Sequence, residues 1–252
     1  MTRVILSGCN GHMGRVITEL AANDAELEIV AGIDLYTEVE NTYPVFASFA
    51  ECDVEADAIV DFSSPKVFDA MMDYSVEKKV PTVVCTTGLS DEQISRLESD
   101  SRNVAVLRSA NMSLGVNILL KLVADAAKTL ANEGFDIEIV EAHHRRKKDA
   151  PSGTALALAD SINEACDGKY EYCYGRSDRF EPRKDNEIGI SAVRGGTIVG
   201  DHEIIFAGTD EVIKFEHTAY SRAIFAKGAL AAAKFLNGKE PGYYNMSNVI
   251  NA

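Results

Sequence analysis

Through the first 110 or so positions, short apolar runs alternate with stretches whose hydrophobic residues recur at helical spacing. Val4, Ile5 and Leu6 form an unbroken run that predicts a buried strand. Ile17, Leu20 and Ala21 then follow at i, i+3 and i+4, predicting a helix that opens after the glycine-punctuated loop from Gly8 to Gly14. A second apolar run, Glu28 to Ile33, ends at Asp34. The alternation continues with AIVDF (58–62), a helical stretch over 65–79, PTVVC (81–85), a polar helix from Asp91, and NVAVL (103–107). Strands alternating with helices predict an α/β domain with a parallel, doubly wound sheet. Beyond SANMSLGVN the pattern changes to a long helix over 116–131, strand-like DIEIVEA, a basic loop and a helix from Thr154. Three strands follow, ISAV (190–193), HEIIFA (202–207) and VIKFEHTA (212–219). That order predicts a second, α+β domain on a mixed or antiparallel sheet, and the alanine-rich helix over 221–236 is expected to return to the first domain.

Composition narrows the chemistry. The 252 residues, 46% of them hydrophobic, are enough for one large core or two modest ones. Lys plus Arg number 25 against 39 Asp plus Glu, a net charge of −14, which argues against nucleic acid as a partner and leaves room only for a local anion site. The five cysteines, Cys9, Cys52, Cys85, Cys166 and Cys173, show no C-x-x-C spacing, as expected of free thiols in a reducing compartment. MTRVILSG has no signal-peptide character and no segment is apolar enough to span a bilayer, so the expectation is a cytoplasmic protein without a membrane partner.

Candidate chemistry lies in four loops. Gly8, Cys9, Asn10, Gly11, His12 and Met13, closed by Gly14, stand between a strand and a helix, where glycines let backbone approach a pyrophosphate. The spacing is G-x-x-G-x-x-G and departs from the usual G-x-G-x-x-G, so a turn used only for packing is the alternative. Asp34 ends the second strand where an acidic residue would meet ribose hydroxyls, which favours a dinucleotide. Cys85, Thr86 and Thr87, and then Ser109, Ala110, Asn111 and Met112, follow strand ends on the same edge. They can line a nicotinamide pocket, and turn chemistry explains them equally well.

The fourth loop is EAHHRRKKDAPSGTA, which concentrates positive charge in an acidic chain. A solvated basic face is the bland reading. If DIEIVEA is a strand, His143 and His144 point to opposite sides, which argues against a metal. An imidazole facing a cleft is instead a proton donor. Lys147 follows His143 by four residues, and Pro151-Ser152-Gly153-Thr154 stand at a helix start, where the amides of Gly153 and Thr154 would cradle a carboxylate that Lys147 neutralises. The charge is then directed at a small anion.

With that loop the chain resembles the 4-hydroxy-tetrahydrodipicolinate (dihydrodipicolinate) reductase family of the diaminopimelate route to lysine. GCNGHMGR, VDFSSP, CTTG, SANMSLGVN, EAHHRRKKDAPSGTA, VRGGTIVGDHEIIF and HTAYSRAIFAKGA occur in the family's order along the whole chain. The resemblance implies reduction of a small cyclic dicarboxylate by NADH or NADPH. It implies a Rossmann-type domain of residues 1–112 and 218–252, with an inserted substrate-binding and oligomerisation domain, 113–217, that builds a homotetramer. It also implies that His143 is the general acid/base and Lys147 the catalytic lysine, and that His144, Gly153 and Thr154 bind substrate carboxylates. The pyrophosphate loop would be Gly8 to Met13, the ribose carboxylate Asp34, and the nicotinamide loops Cys85 to Thr87 and Ser109 to Met112. Two positions depart from the family. Leu35 stands where many members carry an arginine, which implies that NADH serves at least as well as NADPH, and Lys148 replaces a commonly apolar residue. Another two-domain NAD(P)-dependent dehydrogenase, or a catalytically silent dinucleotide sensor, is the rival reading; His143, Lys147 and the PSGT turn together argue against both.

Overall fold

The two hydrophobic patterns become two units in the computed structural model, which describes residues 1–177 and 179–252. One unit is Met1–Leu114 with Ala223–Ala252, the other Gly115–Arg222. The first contains β1 (Thr2–Ser7), α1 (His12–Ala21), β2 (Leu27–Ile33), β3 (Val45–Phe46), a 3₁₀ turn (Phe49–Glu51), β4 (Ala58–Asp61), α2 (Phe68–Lys78), β5 (Thr82–Val84), α3 (Asp91–Asp100) and β6 (Ala105–Arg108). The second runs through α4 (Leu114–Leu130), β7 (Asp136–His143), α5 (Gly153–Ala165), β8 (Glu171–Tyr174), β9 (Glu187–Arg194), β10 (Gly200–Ala207) and β11 (Val212–Ala219). The chain then returns to the first unit with α6 (Ala223–Leu236), β12 (Gly242–Tyr244) and α7 (Met246–Ile250).

The first unit is a seven-stranded parallel sheet of order β12-β6-β5-β4-β1-β2-β3. Strand order reverses between β1 and β4, and a crevice for a ligand forms there at the carboxyl ends of strands. Both faces are covered, as continuous apolar strands require. Val4 and Leu6 pack with Ile17 of α1 and Ala226, Ala229 and Ala233 of α6, whereas Ile5 packs with Met71 and Met72 of α2 and Leu97 of α3. Residues of period two thus serve opposite layers. The alanines of α6 let it lie close to the sheet, so the returning helix is part of this core. The helix expected over 65–79 starts at Phe68 instead, because Val67 N–H donates to Ser64 O at 3.0 Å and makes a turn.

In the second unit the sheet order is β11-β10-β7-β9-β8, with β7, β10 and β11 antiparallel and β7, β9 and β8 parallel. One face is buried by helices: Ile137, Ile139, Ile190 and Phe206 meet Val123 of α4 and Leu158 and Ile162 of α5. Ile137 pairs with Ile188 and Ile139 with Ile190, which fixes the register of β9 against β7. Among the described residues no helix is long and apolar enough to cross a membrane.

Candidate active site

The glycine loop is built for close backbone approach. Gly8 has φ +78°, and a Cβ there would lie 2.6 Å from Phe62 O. A Cβ on Gly14 would sit 2.3 Å from both Cys9 O and Gly8 O, so this glycine lets α1 dock on the loop. Gly11 precedes α1 with no side-chain cap on the helix. Asp34 closes the loop from β2: its Oδ2 accepts Asn10 N–H at 3.0 Å and its Oδ1 accepts Tyr36 N–H at 3.1 Å. A cavity of about 490 Å³ opens beside them, lined by Gly8, Asn10, Gly11 and Asp34, and also by Phe49 and Lys66. Cys9 is buried with its thiol against Gly32 and does not line the cavity. His12 is exposed at the start of α1 and Met13 packs into the core, and neither lines the cavity.

The two later loops lie outside that cavity. Thr86 is buried, Thr87 and Ala110 are exposed, and Cys85 and Ser109 are half-buried. Asn111 Oδ1 accepts Ser113 N–H at 2.8 Å, and Met112 is buried against α6. Beneath them, at the ends of β1, β4 and β5, Ser7 Oγ, Asp61 Oδ2 and Thr86 Oγ1 are buried without a well-formed hydrogen bond among the described residues. Burial pushes the Asp61 carboxyl up and the Ser63, Thr86 and Ser7 hydroxyls pull against it. Such a polar floor calls for a further polar group.

In the second unit the basic loop grows out of β7. Burial alternates along this strand, so Glu141 and His143 continue the inward row of Ile137 and Ile139. Past the strand end His144 is half-buried and its Nδ1 accepts Arg146 N–H at 3.2 Å. Lys147 N–H donates to His144 O at 3.0 Å, and its Nζ pairs with Asp149 at 2.8 Å. The loop reaches α5 through a cis Ala150–Pro151 bond. Ser152 caps that helix by accepting Ala155 N–H on Oγ at 3.2 Å, which puts Gly153 and Thr154 in its first turn. His144, Arg145 and Arg146 also line a cavity of about 350 Å³ with Thr197, Val199 and Arg222.

Three residues that the sequence does not single out, Glu141, Arg194 and His202, organise this loop with Ser152. Glu141 is fully buried: Oε2 lies 2.6 Å from His143 Nδ1, Arg194 reaches both oxygens at 2.8 and 2.6 Å, and Ser152 N–H donates to Oε1 at 3.0 Å. Burial would raise the Glu141 carboxyl, but Arg194, His143 and the Ser152 amide outweigh it and hold it below its ordinary range. His202 of β10 stands edge-on to His143, ring centroids 5.2 Å apart, with Nε2 3.1 Å from Ser152 Oγ. A period-two reading of DIEIVEAH marks Glu141, which shares a face with His143; nothing local marks Arg194 or His202.

Burial, with repulsion from His143, lowers the His202 pKa to about 4, against 6.5 for a free imidazole. Between those values the unfolded chain binds a proton that the folded one refuses, so stability rises with pH there. The contribution is fully present above 6.5 and is lost as pH falls toward and through about 4, in all about 3 kcal/mol. Chemical denaturation of His202→Gln at pH 7 and pH 4.5 should show a smaller pH dependence than the parent; an equal slope would rule His202 out as its source.

Comparison with known proteins follows the same division of the chain. Two family models match, "Dihydrodipicolinate reductase, N-terminus" over residues 2–112 and "Dihydrodipicolinate reductase, C-terminus" over 115–250. The 4-hydroxy-tetrahydrodipicolinate reductase of Caldanaerobacter subterraneus subsp. tengcongensis is 52% identical over 250 residues, 99% of this chain and 98% of its own. The enzyme of the same name from Clostridium tetani is 48% identical over 252 residues, 100% of this chain and 98% of its own. Among solved structures, the dipicolinate-bound dihydrodipicolinate reductase from Paenisporosarcina sp. TG-14 superimposes with a TM-score of 0.82 at 25% identity, covering 98% of this chain and 99% of that one.

Proposed function

The chain belongs to the dihydrodipicolinate reductase family, and from that premise we propose which of its residues perform the reduction. The protein is an NAD(P)H-dependent oxidoreductase that converts 4-hydroxy-tetrahydrodipicolinate to tetrahydrodipicolinate in lysine and diaminopimelate biosynthesis, the hydroxyl of the substrate leaving as water and the conjugated imine so formed taking up a hydride and a proton. A nicotinamide dinucleotide fits the first unit: Gly8, Asn10 and Gly11 line the cavity at the strand ends, and Asp34 stands at the ribose position. The buried polar group of Ser7, Asp61 and Thr86 at the ends of β1, β4 and β5 supports assigning Cys85 to Thr87, with Ser109 to Met112, to the nicotinamide half. When bound, the reduced nicotinamide supplies the hydride.

The chain's own part is charge and proton placement. Reduction leaves electron density on the conjugated imine, and His143 delivers the proton that neutralises it while Lys147 steers it. Lys147 exchanges Asp149 for a substrate carboxylate. The first-turn amides of α5, at Gly153 and Thr154, take one carboxylate with the helix dipole behind them, and His144 with Lys147 takes the other. The observation that carries this reading is the placement of His143, Lys147 and the Ser152-capped start of α5 around one loop. Residues that project from β8, β9 and β11 with exposed apolar side chains, Tyr174, Val193 and Val212, support a homotetramer built through this sheet. A cytoplasmic location fits five free cysteines.

Asp34 repels a 2′-phosphate, and Leu35, 80% exposed, brings no guanidinium to offset it. We expect NADH to be used at least as well as NADPH. The test is steady-state oxidation of each cofactor with enzymatically generated substrate. A kcat/KM more than tenfold higher for NADPH overturns the cofactor preference, and no turnover with either overturns the whole reading.

A further inference from the structure

We propose that Glu141 is a positioning residue of the reaction: through one oxygen it holds His143 in the tautomer that leaves Nε2 for the substrate, and through the other it ties the start of α5 to that imidazole. The inference rests on His143 as the proton-transfer group. Its basis is the use of every acceptor position on a fully buried side chain. An ionised carboxylate accepts hydrogen bonds and donates none, so the 2.6 Å contact with Oε2 requires the hydrogen on His143 Nδ1. Nε2 is then the atom that exchanges a proton. A Cβ on Gly200 would stand 3.1 Å from it, so the glycine keeps a side chain away from that nitrogen.

What keeps Glu141 ionised is Arg194, whose two terminal nitrogens contact the two carboxylate oxygens from β9 at 2.8 and 2.6 Å. Parallel register sets this contact, with Arg194 opposite His143 and Ala192 opposite Glu141. The remaining donor is Ser152 N–H on Oε1 at 3.0 Å. One carboxylate therefore connects the proposed acid with the residue that caps the proposed carboxylate-binding turn. The charged and titratable groups around His143 are few. Glu141 lies on its own strand, Arg194 on β9, and His202 on β10 with His217 paired behind it on β11. Lys147 and Asp149, paired with each other at 2.8 Å, lie in the loop. His202 is neutral near pH 7, and Asp149 is occupied by Lys147. Glu141 is the anion in contact with the ring.

A purely structural Glu141 would alter melting but neither the tautomer nor the pH profile, which separates the two roles. In wild-type protein with ¹⁵N-labelled histidine, His143 should show a protonated Nδ1 and an unprotonated Nε2 when neutral. A protonated Nε2 overturns the proposal without any variant, so the test survives if Glu141→Gln fails to fold. In folded Glu141→Gln, kcat should fall about tenfold, the scale at which orienting partners act. The pH profile of kcat/KM should change, because the glutamine carries no charge beside the ring, and NADH affinity by calorimetry should stay unchanged. A wild-type pH profile in that variant overturns the positioning role. His143→Gln is run in parallel. Full activity there overturns the proton-transfer reading itself, whereas lost activity there with an unaltered tautomer and pH profile in Glu141→Gln overturns the positioning role alone.

Discussion

His143→Gln should lower kcat by roughly 10²-fold or more while NADH affinity stays close to that of the parent, the usual loss when a general acid–base group is removed. Glutamine nearly preserves the volume and can still donate to Glu141, so the buried carboxylate keeps a partner and the loop keeps its form. What disappears is a group able to gain and lose a proton at the Nε2 position. Lys147→Ala should cost a similar factor with a different signature: KM for the dicarboxylate rises as well, because the lysine both steers the proton and neutralises a carboxylate. Its side chain is only 21% exposed although its partner Asp149 is 58% exposed, so it is held in place and not loose in solvent. Steady-state kinetics with calorimetric NADH titrations is the check. Turnover within a few-fold of the parent in both variants would remove these two residues from the chemistry.

Gly228→Ala should destabilise the protein by about 3 kcal/mol, the upper end for forcing a methyl group into a packed interior. It should also weaken NADH binding by roughly tenfold or more, each 1.4 kcal/mol of lost interaction being tenfold in affinity. Helix propensity alone predicts the reverse, since Ala is favoured over Gly inside a helix by about 1 kcal/mol. The contact decides the sign. A Cβ at Gly228 of α6 would lie 1.6 Å from Met112 O and 2.7 Å from Met112 C, backbone atoms that cannot swing aside as a side chain can. Relief requires moving the 109–112 loop, the segment assigned to the nicotinamide half. Thermal or urea denaturation together with NADH titration tests this. An unchanged or raised midpoint would mean that α6 and the loop separate at little cost, and the close approach would not constrain the cofactor loop.

Much of the architecture is legible in the pattern of residues because it depends on near neighbours. The apolar runs at Val4–Leu6, 58–62 and 81–85 become β1, β4 and β5, and helical spacing from Ile17 to Ala21 becomes part of α1. The whole basic loop, with Lys147, Gly153 and Thr154, is visible as a contiguous signature, since a helix start and a charge run are local features. Elements that exist only through a neighbour are not legible. Val45–Phe46 is extended because Gly32 and Ile33 offer it an edge, and Gly242–Tyr244 because β6 does. Neither two nor three residues carry a periodicity. The five-residue α7 is held by a reciprocal Asn245–Asn248 cap, a signal too short to stand out in a polar tail.

The same distinction runs through the site. His143 and Lys147 can be read from the chain, but what surrounds His143 cannot. Arg194 lies 53 residues beyond Glu141, and His202 lies 50 beyond Ser152. Their arrival depends on β9 pairing in parallel and β10 in antiparallel with β7. Burial of Ile137, Ile139, Ile188, Ile190, Ile204 and Phe206 against α4 and α5 selects that pairing, because a slip of one residue would turn each strand's apolar row to the opposite face. Residue types and local spacing thus determined which groups could do chemistry. Which of them meet, which carboxylate is ionised and which imidazole nitrogen carries the hydrogen were decided by strand register, since hydrogen bonding and charge pairing act over a few ångströms while sequence distance sets no limit on what the sheet brings together.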